Sequence, residues 1–166
     1  MSDLSRESFD DHIEILLTKA ENLIPNEELP ELPYMDVAPE VHEWYQFEYQ
    51  LWNVGEKIRL LTAEHKKELN ELQVKRIIEI CLDQKAKRGR QSFILLLGKK
   101  CYCTFADEII DLIDDDDVDG HVIATIRKMQ VGQYVDKVKP FLNHKQTWIR
   151  NEAKKYIQKF ESYRHT

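Results

Sequence analysis

The sequence predicts an all-α protein, a single domain over residues 1–166 that is organised as a short α-solenoid of antiparallel helix pairs. The chain has 166 residues, which suits one ordinary domain. It contains only five Gly and five Pro, so long stretches lack the turn residues that an all-β chain needs at short intervals. Its second half also repeats itself with a period of about 30 residues.

Residues 1–24 are predicted to form an amphipathic N-terminal helix. Ser2 and Asp3 can cap its start, and apolar residues recur at helical spacing along it. The predicted core stripe consists of Leu4, Phe9, Ile13, Leu16, Leu17, Ala20, Leu23 and Ile24.

Residues 25–39 contain four of the five prolines and are predicted to be an extended connection rich in Pro and Glu. Residues 40–70 are predicted to be a helical segment rich in aromatic residues. One face of this segment is expected in the core and is formed by Trp44, Phe47, Leu51, Val54 and Ile58. Glutamates on a long helix usually face solvent, and we expect this of Glu40, Glu43 and Glu48.

Three helix pairs are predicted after this, at residues 71–98, 104–130 and 133–160. The repeats align by their apolar residues: Val74, Phe105 and Tyr134; Ile78, Ile109 and Val138; and Leu82, Ile113 and Leu142. A single helix pair cannot bury its apolar face alone, so the pairs must stack on one another. We expect the N-terminal helices to pack on this stack or to cap it.

The repeats resemble the HEAT-like repeat family. The likeness is strongest over residues 105–160, where a leucine-rich first helix, an Asp-containing turn and a second helix opening on Val/Ile-Arg recur, and residues 71–97 are a divergent copy. The resemblance implies a right-handed solenoid. It also implies that Arg150 pairs with Asp116, Asp117 or Asp119, as an arginine at this position commonly does in the family.

The acidic run before the second helix of the middle pair is predicted to be a structural turn and helix cap, formed by Asp114, Asp117, Asp119 and Gly120. A calcium loop beginning at Asp115 would need a carboxylate at its twelfth position, where this chain has Ile126. Cys101 and Cys103 are closer in sequence than the cysteine pairs of structural zinc sites. We therefore expect no metal and no cofactor.

Charge is unevenly distributed along the chain. Residues 1–83 carry 8 Lys or Arg against 19 Asp or Glu, whereas residues 84–166 carry 16 against 11. In a solenoid, the openings of successive second helices lie side by side, which predicts a polar surface for partner binding. Its candidate residues are Arg90, His121, Trp148, Arg150 and Lys154.

No paired histidine motif, phosphate-binding glycine loop or nucleophile elbow is present, so we predict that the protein is not an enzyme. The leading hypothesis is a cytoplasmic protein-binding module, a monomer or weak dimer without membrane contact. Such a protein could be an inhibitor or an immunity-type protein against a basic toxin, acting through the acidic, aromatic residues 25–52.

The alternative is a nucleic-acid binder that uses the basic C-terminal half. Some DNA alkylation repair glycosylases are also built from HEAT-like repeats. Their resemblance to this chain is limited to Trp148 and Arg150.

The repeat alignment can be tested at Ile109, which it places in the core. Replacing Ile109 with Asp would bury a charge without a partner, and we expect the free energy of unfolding to fall by several kcal/mol. Thermal unfolding monitored by circular dichroism measures this. A soluble variant with an unchanged melting temperature would contradict the alignment.

Overall fold

The structure is a computed structural model that describes residues 2–161, with side chains described from residue 8 to residue 161. It is mostly helical, which confirms the all-α prediction at the level of fold class. The contacts group the chain into two compact units, residues 1–93 and 94–166, where the sequence predicts one domain. The boundary falls within residues 71–98, which were predicted to be one helix pair.

The first unit begins with helix α1, Ser2–Leu23, whose apolar stripe follows the sequence prediction. Phe9, Ile13, Leu17 and Ala20 are buried, and α1 packs against helices α2 (Gln46–His65) and α3 (Glu71–Leu82). The side chains of Ser2, Asp3 and Leu4 lie outside the described residues. A buried stripe at this spacing is what holds a helix of this length against a core.

A short β-hairpin precedes α2, so the predicted helical segment 40–70 begins six residues late. Strand β1 (Tyr34–Met35) pairs antiparallel with β2 (Ala38–His42), placing Tyr34 opposite His42. Pro39 and the β-branched Val41 favour extended backbone, which explains why the helix does not start here. In α2 Leu51, Val54 and Ile58 are buried as predicted, whereas Phe47 is only half-buried, as is Trp44, which precedes the helix.

Helix α3 starts where the sequence predicts, because Asn70 and Gln73 form a capping box. The Asn70 side chain accepts from the Gln73 N–H at 2.8 Å, and the Gln73 side chain accepts from the Asn70 N–H at 3.0 Å. Val74 and Ile78 are buried on its inner face, while Leu82 is 48% exposed at its end. A 3₁₀ segment, Gln84–Arg90, links α3 to helix α4, Gln91–Leu96.

The second unit contains helices α5 (Ala106–Ile109), α6 (Asp119–Lys128), α7 (Val135–Val138) and α8 (Thr147–Glu161). The remaining helical parts are 3₁₀ segments at Lys100–Phe105, Ile110–Asp114 and Lys139–Asn143.

The predicted core of this unit is largely confirmed. Ile109, Ile113 and Val138 are buried, whereas Leu142 is half-buried. Pro140 has no N–H to donate, which accounts for the end of α7 at Val138 and the tighter 3₁₀ turn that follows.

Ser92 on α4 packs closely against Gly55 on α2. A Cβ atom added at Gly55 would lie 2.1 Å from the Ser92 Oγ, so only glycine fits there. Among the described residues, the buried Ser92 hydroxyl has no hydrogen-bond partner. A buried polar group without a partner lowers stability.

Ser92→Ala is therefore expected to raise the free energy of unfolding by about 1 kcal/mol, since it removes the unpaired hydroxyl and keeps the contact. Urea unfolding of the full chain measures the change. Ser92→Thr is the matched control: it keeps the hydroxyl and adds a methyl group to a crowded site, so it should destabilise the fold. Destabilisation by alanine would contradict this account.

Candidate functional site

Residues 25–45 join α1 to α2 and form what we call the acidic arm. The arm has no Lys or Arg, and its acidic residues are Glu27, Glu28, Glu31, Asp36, Glu40 and Glu43. All six carboxylates are exposed. Among the described residues, Glu31 alone of the six pairs with a cation. The arm therefore presents five carboxylates without a neutralising partner.

The arm is held in one conformation by its own backbone and aromatic contacts. The Tyr45 hydroxyl donates to the Pro30 carbonyl at 2.6 Å, and the Glu43 N–H donates to the Pro33 carbonyl at 2.8 Å. The Tyr34 and His42 rings stack across the hairpin with centroids 4.0 Å apart. These contacts make the arm an ordered surface, and order in the free state reduces the entropy lost on binding.

Two basic residues of the 3₁₀ segment anchor the arm to the rest of the first unit. The Lys87 ammonium lies 3.0 Å from Glu31 Oε1, and an Arg88 guanidinium nitrogen lies 3.7 Å from Glu31 Oε2. Arg88 also donates to the His42 carbonyl at 3.3 Å. Lys87 is only 5% exposed and has a φ of 49°, a conformation that costs a residue other than glycine about 1–3 kcal/mol.

The start of α2 is fixed to the same segment by Glu48. One carboxylate oxygen accepts the Tyr45 N–H at 2.7 Å and the other accepts the Arg88 N–H at 2.9 Å. Glu48 is 1% exposed, so the expectation that it lies on a solvated helix face is wrong. Glu40 and Glu43 are exposed as expected, but they precede the helix and are not part of it.

Arg90 was a candidate for partner binding, and the structure instead places it in the interior. It is fully buried, and its guanidinium donates to the Lys87 carbonyl at 2.7 Å and to the Cys81 carbonyl at 3.1 Å. A side chain without exposed surface cannot contact a partner, so Arg90 has a structural role. Burial also raises the pKa of the nearby Cys81 thiol to about 12, which leaves it unreactive at neutral pH.

The acidic arm also exposes apolar and aromatic side chains. Val37 at the hairpin tip is 92% exposed and Tyr34 is 58% exposed. Just beyond the arm, the half-exposed Tyr49 lies against Trp44 with ring centroids 5.1 Å apart. Aromatic side chains are enriched at protein interfaces and often provide much of the binding energy.

Two candidates of the second unit, His121 and Trp148, pack together. Their rings meet edge to face with centroids 5.1 Å apart, and burial lowers the pKa of His121 to about 4, so the imidazole is neutral at pH 7. The Trp148 ring covers Gly120, where an added Cβ would lie 2.3 Å from it. Trp148 is still 43% exposed, and Lys154 is exposed on α8.

Arg150 does not pair with the acidic turn, so the pairing implied by the family resemblance is wrong. Its guanidinium donates to the carbonyls of His144 and Lys145, at 2.6 and 2.9 Å, and to the Thr147 hydroxyl at 2.7 Å. These are local bonds that close the turn at the start of α8. Arg150 is half-buried and most of its donors are engaged in that turn.

The acidic turn is instead held by His144, which contacts Asp119. His144 Nε2 lies 3.2 Å from Asp119 Oδ2, and His144 Nδ1 accepts the Gln146 N–H at 3.0 Å. Because Nδ1 accepts, the ring proton is on Nε2 and is donated to Asp119. Both ring nitrogens are occupied, so this pair is a structural latch and has no free nitrogen for proton transfer.

The predicted turn residues have different environments. Asp119 is 4% exposed, its other oxygen accepts the Gly120 N–H at 2.6 Å, and burial raises its pKa to about 6. Asp117 is half-buried and donates its N–H to Asp115 Oδ1 at 3.0 Å, while Asp114 is exposed. The N-cap position of α6 belongs to Val118, so Asp119 stabilises the helix from its first turn.

Sequence reasoning missed the hairpin, the burial of Glu48 and the anchoring role of Lys87 and Arg88. A Glu three residues after Tyr45 is the acidic half of a capping box, but Tyr is not a usual N-cap residue. Within residues 8–161, no three His, Cys, Asp or Glu side chains are grouped as a metal site requires. No helix among the described residues combines the length and apolar character needed to span a bilayer.

Comparisons with known proteins give no relatives: neither a protein-family model, nor a curated protein, nor a solved structure matches this chain.

The contact between His144 and Asp119 is expected to contribute to the free energy of unfolding by an amount that depends on pH. The pKa of Asp119 in the folded protein, about 6, is above its usual 3.8, so the folded state takes up a proton as the pH falls between these values. The contribution of Asp119 to stability is therefore greatest below about pH 4 and is lost as the pH rises through 6. Above that pH the buried Asp119 carboxylate is ionised, and the hydrogen bond from His144 then stabilises its charge.

His144→Ala is accordingly expected to lower the free energy of unfolding by about 1–3 kcal/mol at neutral pH and by less near pH 5. Urea unfolding at the two pH values measures the difference. His12→Ala, at an exposed position on α1, is the control and should change stability little at either pH. An equal loss at both pH values for His144→Ala would show that the latch does not depend on the ionised carboxylate.

Proposed function

We propose that the protein is a non-enzymatic protein-binding module whose acidic arm binds a basic protein, as an inhibitor or an immunity-type protein would. The observation that carries this proposal is the arm itself. The arm carries five exposed, unpaired carboxylates and also exposes Tyr34 and Val37, and it is held by Glu31 and Tyr45. The arm thus combines charge, apolar contact area and order in one surface.

Each of these properties has a separate role in binding. Unpaired carboxylates attract a basic partner over a distance and raise the association rate. Exposed aromatic and aliphatic side chains supply area that can be desolvated in the centre of an interface. Because the hairpin is already ordered by its own hydrogen bonds, less entropy is lost on binding and the complex dissociates more slowly.

The basic residues support the nucleic-acid alternative less well. Arg90 is internal, Lys87 and Arg88 face Glu31, and Arg150 donates to carbonyls of its own turn. Phosphate binding requires several exposed cations on one surface. Lys145 and Lys154 are exposed, and the exposed Lys137, Lys139 and Lys155 each pair with a carboxylate, which reduces the positive charge available to phosphates.

We also infer that the helical segments belong to a HEAT-like, right-handed solenoid. Two features support this: α3, α6 and α8 lie inside the predicted pairs, and the equivalent positions Ile78, Ile109 and Val138 are all buried. The first helices of the second and third pairs depart from the family pattern, because each is a single short α-helix joined to 3₁₀ turns.

The proposal is tested by capture of a partner with the tagged full-length chain from a native lysate, with nuclease treatment in a parallel sample. We expect a basic protein to be retained in stoichiometric amount in both samples. Charge reversal of the arm, with Asp36→Lys, Glu40→Lys and Glu43→Lys combined, should weaken binding of that protein by about 10- to 100-fold, mainly through the association rate.

The matched control reverses three exposed acidic residues elsewhere, Glu64→Lys, Glu108→Lys and Asp114→Lys, and so makes the same change in net charge. It should change the affinity by much less. Equal weakening by the two triple variants would show that net charge and not the arm controls binding. Loss of the retained material on nuclease treatment would favour nucleic acid as the partner.

A further inference from the structure

A cleft of about 300 Å³ lies in the first unit between the C-terminal end of α1 and the C-terminal half of α3. Its apolar floor is formed by Ile24, Pro25 and Ile80. Small-molecule sites typically enclose about 300–1,000 Å³, so this cleft is at the lower end of that range and suits a single side chain. Pro25 and Asn26, which line the cleft, are also the first two residues of the acidic arm.

The charged residues of the cleft differ in whether their charges are already paired. Arg76 is held by Glu21 at 2.7 Å and also contacts Glu14, and Lys85 lies 3.2 Å from Asp83. Glu79 is exposed in the wall of the cleft, and the described residues offer it no ion pair. The cleft therefore has one carboxylate available for a ligand, whereas its cations are engaged.

We propose that this cleft takes an arginine side chain of the basic partner, with the guanidinium on Glu79 and the methylene stem on Ile24, Pro25 and Ile80. An arginine fits both parts of the site, because its stem lies on apolar surface while its planar head bonds a carboxylate through two N–H groups. An anion is disfavoured, since binding it would require breaking the ion pairs of Arg76 or Lys85.

This inference rests on the proposed function, because the arginine belongs to the partner that the acidic arm binds. It adds a specific requirement to that function. The arm attracts positive charge in general, whereas the cleft would select one arginine at a fixed distance from the surface that contacts the hairpin.

The cleft can be tested without the partner. The full chain labelled with ¹⁵N is titrated with N-acetyl-arginine amide, and amide chemical shifts are followed by NMR. We expect shifts at Ile24, Asn26 and Ile80 that saturate at a dissociation constant of about 1–10 mM, as is usual for a single side chain. N-acetyl-citrulline amide, the neutral analogue of the probe, should produce none of these shifts.

Glu79→Gln should weaken binding of the arginine probe at least about tenfold, since it removes the charge and keeps the shape. Glu64→Gln, at an exposed position on α2, is the matched control and should bind the probe as the parent does. Equal shifts with citrulline, no shifts in the cleft, or unchanged binding by the Glu79 variant would each overturn the inference.

Binding of the captured partner to the arm variant and to Glu79→Gln distinguishes failure of this inference from failure of the proposed function. If the arm variant loses the partner while Glu79→Gln binds it normally, the proposed function stands and the cleft has another role or none. If the arm variant binds normally, the proposed function fails, and the probe titration still decides whether the cleft binds arginine.

Discussion

The conformation of the first unit around the acidic arm depends on the buried carboxylate of Glu48. A carboxylate that is 1% exposed is tolerated only when hydrogen bonds replace its water, and here the backbone N–H groups of Tyr45 and Arg88 do so. These two donors lie at the end of the arm and in the segment that anchors it. The same bonds that satisfy the charge therefore fix the arm, the start of α2 and the 3₁₀ turn in one arrangement.

This arrangement also explains the charge on the surface of the first unit, which the counts of basic and acidic residues in the two halves of the sequence do not. The basic residues after position 83 suggest a surface for anions, but Lys87, Arg88 and Arg90 all bond within their own unit. Lys87 and Arg88 neutralise Glu31, one of the six arm carboxylates, and leave five, while Arg90 bonds to backbone carbonyls. The charges of Lys87 and Arg88 are spent on ion pairs with Glu31 and do not add to the exposed positive charge. The surface next to this basic segment is therefore acidic.

The sequence predicted correctly the helices that depend on residues close to one another in the chain, but it did not predict which charged side chains are buried. The stripe of α1 and the start of α3 follow from residues within a few positions of each other, such as Phe9 with Ile13 and Asn70 with Gln73. The bond from Arg88 to Glu48 joins residues 40 positions apart, and no periodic pattern marks it. The sequence also did not show that His144, and not Arg150, contacts Asp119. The geometry of the turn before α8 decides which of the two side chains reaches the carboxylate.

Both units stabilise an irregular segment with a buried carboxylate, but they differ in the donors they use. Glu48 accepts from two backbone amides, which do not change their protonation with pH. Asp119 accepts from one backbone amide and from the imidazole of His144, and its own pKa is raised to about 6. Mild acid therefore alters the bonds at the acidic turn of the second unit, whereas the donors that hold Glu48 stay the same. The acidic arm, which we propose as the partner-binding surface, is thus held by Glu48, whose backbone donors do not change with pH.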